Sequence, residues 1–304
     1  MSVRDIILAA AGVGGAGFEG VEQAKLTASD AEASDQFGYS VSISGDGNTA
    51  IVGARLEDPG GVSSAGAAYV FTRSGTSWSQ QAKLTASDAE ASDFFGVSVS
   101  ISSDGNTAIV GAYFEDPGGL SSAGSAYVFT RSGTTWSQQA KLTASDAEAS
   151  DRFGFSVSIS SDGNTAIVGA YLEDPGGVSS AGSAYVFTRS GTTWTEEFKL
   201  TASDAEAIDL FGISVSISGD GNTAIVGARL EDPGGVSDAG SAYVFTRSGT
   251  SWSQQAKLTA SDAEASDFFG WSVSISSDGN TAIVGAYSED PGGVSGAGSA
   301  YIFV

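Results

Sequence analysis

Carboxylates are the side chains in this sequence best placed to do chemistry. The stretch "ASDAEASD" and the shorter "EDPGG" return together down the chain, so that Asp30, Glu32, Asp35, Glu57 and Asp58 of the first copy have counterparts in each later one. Five acids in each of five copies make 25 of the 36 acidic residues. Hard oxygen ligands in short glycine-containing loops are what calcium takes, usually about 6 to 8 of them with backbone carbonyls included. These five acids and their equivalents are therefore candidate calcium ligands. The competing reading is that they solvate the surface and cap loops, Asp and Ser side chains bonding nearby backbone N–H groups. Other chemistry is poorly provided for. The chain has no His and no Cys, which removes the usual general base, the commonest zinc ligand and any thiolate or disulfide. A mechanism would need paired carboxylates or a lysine base, yet the acids recur in every copy, as do Lys25, Lys83, Lys141, Lys199 and Lys257. Residues repeated in every copy read as structural, and the sequence is not expected to encode an enzyme.

The elements that carry these acids follow from the repeat. Phe-Gly pairs stand at 37/38, 95/96, 153/154, 211/212 and 269/270, a constant spacing of 58 residues. Five copies span 15–72, 73–130, 131–188, 189–246 and 247–304, leaving residues 1–14 as a tail. A fixed period of this size marks units that bury their faces only against their neighbours. Within a copy, Tyr39, Val41 and Ile43 alternate with serines, the period of a strand. The turn Gly45-Asp46-Gly47-Asn48 leads to a second strand at 49–54, a third is expected around 67–72 and a fourth at 78–86. Four strands and no helix-length period predict an all-β chain, a five-bladed β-propeller of four-stranded blades. The phase is informative, because the sequence finishes in a third strand and its first full match begins in a fourth. The N-terminal strand is thus expected to complete the last blade and close the ring, which removes exposed sheet edges.

The phrase "DQFGYSVSISGDGNTAIVGARLEDP" and its copies resemble FG-GAP repeats, the blades of the integrin alpha-chain propeller and of many bacterial and viral surface proteins. The likeness covers roughly residues 23–304 and implies the propeller fold. It departs in two ways. The Pro of the family's name is replaced after Gly-Ala by Arg55, Tyr113, Tyr171, Arg229 and Tyr287, and five blades are fewer than the integrin seven. The calcium loop that the resemblance would imply, Asp-x-Asp-x-Asp-Gly between first and second strands, is absent from the turn at 45–48.

In a propeller the fourth-to-first and second-to-third connections share one face, which here gathers the five acids of each copy. The opposite face receives one Asp per copy, beginning with Asp46, together with Arg73, Arg131, Arg189 and Arg247. Differences between copies gather at strand ends beside the acidic face. The residue before Phe-Gly is Gln36, Phe94, Arg152, Leu210 or Phe268, and the residue after it is Tyr39, Val97, Phe155, Ile213 or Trp271. After Gly-Ala come Arg55, Tyr113 with Phe114, Tyr171, Arg229 and Tyr287. Large aromatics and arginines carry most interface energy, so these positions predict a recognition surface. The alternative is that they fill gaps between blades. Trp78, Trp136, Trp194 and Trp252 in the fourth strands are expected to pack structurally.

A formal net charge of −23 opposes binding to nucleic acid or anionic lipid. No apolar run approaches a membrane span. The opening "MSVRDIILAAAGVGGAG" loosely imitates a signal peptide, but Asp5 interrupts its charged region and glycines break its apolar run. It is also similar to the starts of some tailed-phage virion proteins, so Val3, Ile6, Ile7 and Leu8 are read as attachment residues. The expectation is a binding subunit of a virion or extracellular surface assembly, its tail docked to other proteins and its face open to a cell-surface protein or glycan. A secreted, calcium-dependent adhesion module is the alternative.

Overall fold

The computed structural model of the chain describes residues 20–304. Blade one shows how the sequence becomes a sheet. Strands β1 (Phe37–Ile43), β2 (Thr49–Ala54), β3 (Ala67–Ser74) and β4 (Ser77–Leu84) pair antiparallel in chain order. The β1–β2 turn is tied by Asp46, which accepts from the Ser44 hydroxyl at 2.6 Å and the Asn48 backbone N–H at 2.9 Å. These bonds hold its carboxyl down at about 2. The β2–β3 loop contains a single 3-10 turn at Pro59–Gly61. Four such four-stranded sheets and a fifth of three strands follow one another, which is the all-β, five-bladed propeller read from the sequence.

The core lies between blades. Ile51, Ala68 and Val70 of blade one pack with Phe95, Val99, Ile101, Val110 and Tyr127 of blade two in one buried cluster, and like clusters fill the next junctions. Each buried Val, Ile or Phe among them contributes about 1.5–3 kcal/mol on leaving water. The Phe of each Phe-Gly pair anchors this core, as Phe95 is fully buried with its ring edge-on to Tyr127 and Phe129. The Gly beside it is needed for two reasons. Gly96 has φ +92, and a Cβ there would sit 2.4 Å from the Ala67 carbonyl oxygen of the preceding blade. Polar clasps repeat with the core: Ser40, Ser98, Ser156 and Ser214 each donate to the Gly carbonyl of the next blade at 2.8–2.9 Å.

Four junctions are made in this way, and the fifth differs from the expectation. Residues 20–28, read as the missing fourth strand of blade five, form no strand, and the last sheet holds only Phe269–Ile275, Ala282–Ala286 and Ser299–Phe303. The segment does take up the side-chain half of that role. Leu26 and Ala28 pack on Val52, Ala54, Tyr69 and Phe71 of blade one, and Trp78 Nε1 donates to Gln23 Oε1 at 3.1 Å, as Trp136 does to Gln81 at the next junction. The ladder half is unmade: Ser299–Phe303 pairs only with Ala282–Ala286, and the segment rests on blade one by its side chains. Among the described residues no serine clasp links blade five to blade one. Two faces that are buried elsewhere are correspondingly open, with Val41 70% and Ile302 62% exposed.

Candidate recognition face

The loops share faces as the strand order requires. Backbone N–H groups of Ser92, Phe94 and Phe95 donate to the carbonyls of Ser63, Ser64 and Ala65, so the loop entering blade two is laced to the β2–β3 loop of blade one. In blades two to five this lacing holds an unusual backbone, which Gln36 of blade one shares without it. Gln36, Phe94, Arg152, Leu210 and Phe268 all have φ between 56° and 64°, a left-handed conformation that non-glycine residues rarely adopt. Such strain persists only where surrounding bonds over-determine it, and it is common where a side chain must be aimed.

What is aimed forms a row in two contiguous groups, Tyr39 to Tyr171 and Arg229 to Tyr287. The Arg55 guanidinium lies 4.0 Å from the Tyr39 ring centroid and 6.0 Å from that of Phe94, and its Nε donates to Gln36 Oε1 at 2.8 Å. Phe94 meets Phe114 at 5.2 Å and Tyr113 at 5.9 Å, Tyr113 meets Phe155 at 5.3 Å, and Phe155 meets Tyr171 at 4.8 Å. Arg152 stacks on Phe114 at 3.8 Å. Arg229 stands 5.0 Å from Trp271 and 5.8 Å from Phe268, while Tyr287 stacks on Phe268 at 5.4 Å and meets Trp271 edge-on at 5.0 Å. All twelve positions read from copy-to-copy differences are thus brought together along one surface. Tyr39, Trp271 and Tyr287 are 43–49% exposed and the others half-buried, so the row is accessible and also packs on itself. Burial raises the Tyr113 and Tyr171 hydroxyls above the usual phenol range, against the pull of nearby arginines.

The acids of the same face have other partners. In blade two, Lys141 Nζ bridges Asp88 and Glu115 at 2.7 Å each, Tyr127 donates to Asp88 at 2.9 Å and Ser125 donates to Glu115 at 2.5 Å. Asp93 accepts the Glu90 N–H at 2.7 Å and Asp116 accepts the Ser122 N–H at 2.5 Å. The pattern recurs, with Lys83 between Asp30 and Glu57, Asp35 accepting from Glu32 N–H, and Asp58 accepting from Ser64 N–H. Burial pushes Asp93, Asp151 and Asp209 up to about 6. The calcium reading of Asp30, Glu32, Asp35, Glu57 and Asp58 is not supported by this donor set: the three aspartates and one oxygen of Glu57 are engaged by ammonium or backbone donors, the other Glu57 oxygen is buried, and Glu32 offers a single exposed carboxylate. No group of three or more acids is placed to hold a metal among the described residues. Capping and pairing are what the aspartates and the buried glutamates do. The attachment residues Val3, Ile6, Ile7 and Leu8 lie outside the described residues.

Sequence reading missed the lysine triads, although the signal was present in lysines that recur in step with two acids. It also missed one defect. Ser125, Ser183, Ser241 and Ser299 each donate to the buried Glu of their blade, but blade one has Ala67 at that place and Glu57 Oε2 is buried without a partner. Burial correspondingly raises the Glu57 carboxyl, which Lys83 only partly offsets. Ala67→Ser is expected to restore the bond and stabilise the fold by about 1–2 kcal/mol. Thermal unfolding checks this, and an unchanged midpoint would contradict it.

A scan against family models places FG-GAP repeats at residues 21–71, 78–129, 136–187, 194–245 and 252–303. The chain belongs to the FG-GAP repeat family. Each FG-GAP match begins at the fourth-strand position of one blade and ends in the third strand of the next, the phase already read from the sequence. Among solved structures, hydrazine synthase of Kuenenia stuttgartiensis is similar in fold, with a TM-score of 0.51 at 12% identity over 85% of this chain. The FG-GAP chain spans 58% of the length of that protein chain. No curated protein matches.

Proposed function

We propose that this FG-GAP propeller is a non-enzymatic binding subunit of a larger surface assembly, such as a phage virion appendage, located on a virion or an extracellular surface. It docks to other proteins of the assembly through residues 1–14 and presents the aromatic and arginine row to a cell-surface protein or glycan. One observation carries this reading: the blades are nearly identical in core, clasp and triad, while their differences converge on a single half-exposed row of residue types that dominate interfaces. The reading of "MSVRDIILAAAG" as an attachment tail like those of tailed-phage virion proteins belongs to this proposal. A calcium-dependent adhesion module is separated by a simple measurement. Thermal unfolding of the chain in EDTA and in millimolar calcium is expected to give the same midpoint, because most of the acids are already partnered and no three are gathered for a metal among the described residues. A ligand that binds only the native state raises the midpoint by mass action, so a rise of many degrees with calcium would favour the adhesion module.

A further inference from the structure

The row contains an anomaly on a strongly acidic molecule. Among the described residues, Arg55, Arg152 and Arg229 have no carboxylate within ion-pair distance, although the same loops are rich in acids. Arg152 Nη1 and Arg229 Nε are buried without any hydrogen-bond partner. Each guanidinium lies instead against an aromatic ring, 4.0 Å from Tyr39 for Arg55, 3.8 Å from Phe114 for Arg152 and 5.0 Å from Trp271 for Arg229. A guanidinium placed on a ring keeps in-plane N–H groups for a planar acceptor, and carboxylate matches that fork in bidentate fashion.

The phenols of Tyr113 and Tyr171 extend the pattern. Tyr113 meets Phe155 at 5.3 Å and Phe155 meets Tyr171 at 4.8 Å, so two neutral hydroxyls join the three guanidiniums as donors across four blades. Guanidiniums only donate, and a phenol offers a donor at each step. Such a row suits an extended ligand rich in acceptors. An acidic peptide would bring an N–H at every residue, while the aspartates beside the row are already engaged by backbone and lysine donors, whereas a uronic acid chain brings carboxylates, ring oxygens and hydroxyls. The half-exposed rings of Tyr39, Trp271 and Tyr287 offer flat apolar area at both ends of the row for sugar faces.

We propose that the row from Arg55 through Tyr113, Arg152 and Tyr171 to Arg229 is a binding site for an acidic polysaccharide, its arginines taking carboxylates and its aromatic rings taking sugar faces. This rests on the reading of the row as the recognition surface and names the ligand class for it. The test is calorimetric titration of the full chain with oligogalacturonate, neutral dextran and poly-glutamate. Oligogalacturonate is expected to bind and dextran not to. Arg152→Ala with Arg229→Ala is expected to weaken binding by at least about tenfold, the loss of hydrogen bonds to a charged group. Arg152→Lys with Arg229→Lys, which keeps charge and bulk, is expected to weaken it by less, and Arg73→Ala on the opposite face to leave it unchanged. Failure of oligogalacturonate to bind, or binding that survives both double variants, overturns the proposal. Preference for poly-glutamate also overturns it while leaving the row as a recognition surface. Failure of that broader reading shows in a different measurement, the unfolding of the face variant described at the end of the Discussion.

Discussion

Gly111→Ala is expected to destabilise the protein by about 3 kcal/mol or more, at the upper end of overpacking costs, and Gly285→Ala by less than about 1 kcal/mol. The two glycines occupy the same place in blades two and five. A Cβ on Gly111 would stand 1.8 Å from the carbonyl oxygen of Gly154 in the next blade. That oxygen also accepts the Ser98 clasp, so neither blade can yield without opening the junction. Gly53, Gly169 and Gly227 meet the equivalent oxygen at 2.0 Å. On Gly285 the nearest atom is the Ser272 hydroxyl at 2.6 Å, the end of a side chain that can rotate away. Denaturant unfolding of the two variants reads the difference. Equal and large losses would mean that blade five is locked to blade one as the other blades are locked to each other, contrary to the open junction seen here.

Loss of a triad lysine is the second large effect. Lys141→Met leaves Glu115, whose side chain is 8% exposed, without its ammonium, and also unpairs Asp88. Burial alone would depress the Lys141 ammonium, but its bonds to Asp88 and Glu115 outweigh this and hold it above the usual lysine range. Removing one partner of a buried pair costs about 3–5 kcal/mol, mostly through the charge left behind, and partial exposure of the lysine places the expected cost at about 3 kcal/mol. The charge is the cause if Lys141→Met combined with Glu115→Gln recovers much of the loss, since Gln still accepts from Ser125. A double variant no better than the single would point to lost packing of the lysine stem instead.

Much of this was legible before any coordinates. Period 2 in Tyr39, Val41 and Ile43 located β1, and the Gly-Asp-Gly-Asn turn located β2, because local sterics and alternation decide both. The twelve face residues were legible for a different reason: near-identical copies act as controls for one another, so departures stand out. What escaped depended on distance in three dimensions. Lys141 meets Asp88 and Glu115 across 53 and 26 residues, separations that no short motif encodes. For that reason the sequence left calcium binding and capping as alternatives, although most of these acids are already paired. The role of residues 20–28 was half legible. Their similarity to β4 placed them beside blade five's last strand, and the structure adds the side-chain contact from Trp78 to Gln23. Whether they would also pair with Ser299–Phe303 depends on the rotation between blades, which sequence similarity does not carry.

The division of labour between blades and row explains why this chain can vary where it does. Clasps, triads and Phe-Gly anchors hold the fold at four junctions, and the row needs only the laced loops beneath it. Blade four already fills its part with Leu210, Ile213, Arg229 and Leu230 on the same left-handed backbone that Phe94 uses in blade two.

The most direct test therefore writes blade four's residues into blade two, as Phe94→Leu, Val97→Ile, Tyr113→Arg and Phe114→Leu together, and measures denaturant unfolding. If the row serves recognition and the scaffold stands without it, stability falls by no more than about 1–2 kcal/mol, the loss of the ring and guanidinium contacts. A loss as large as that expected for Gly111→Ala would show that the row holds the blades together, and would contradict the account.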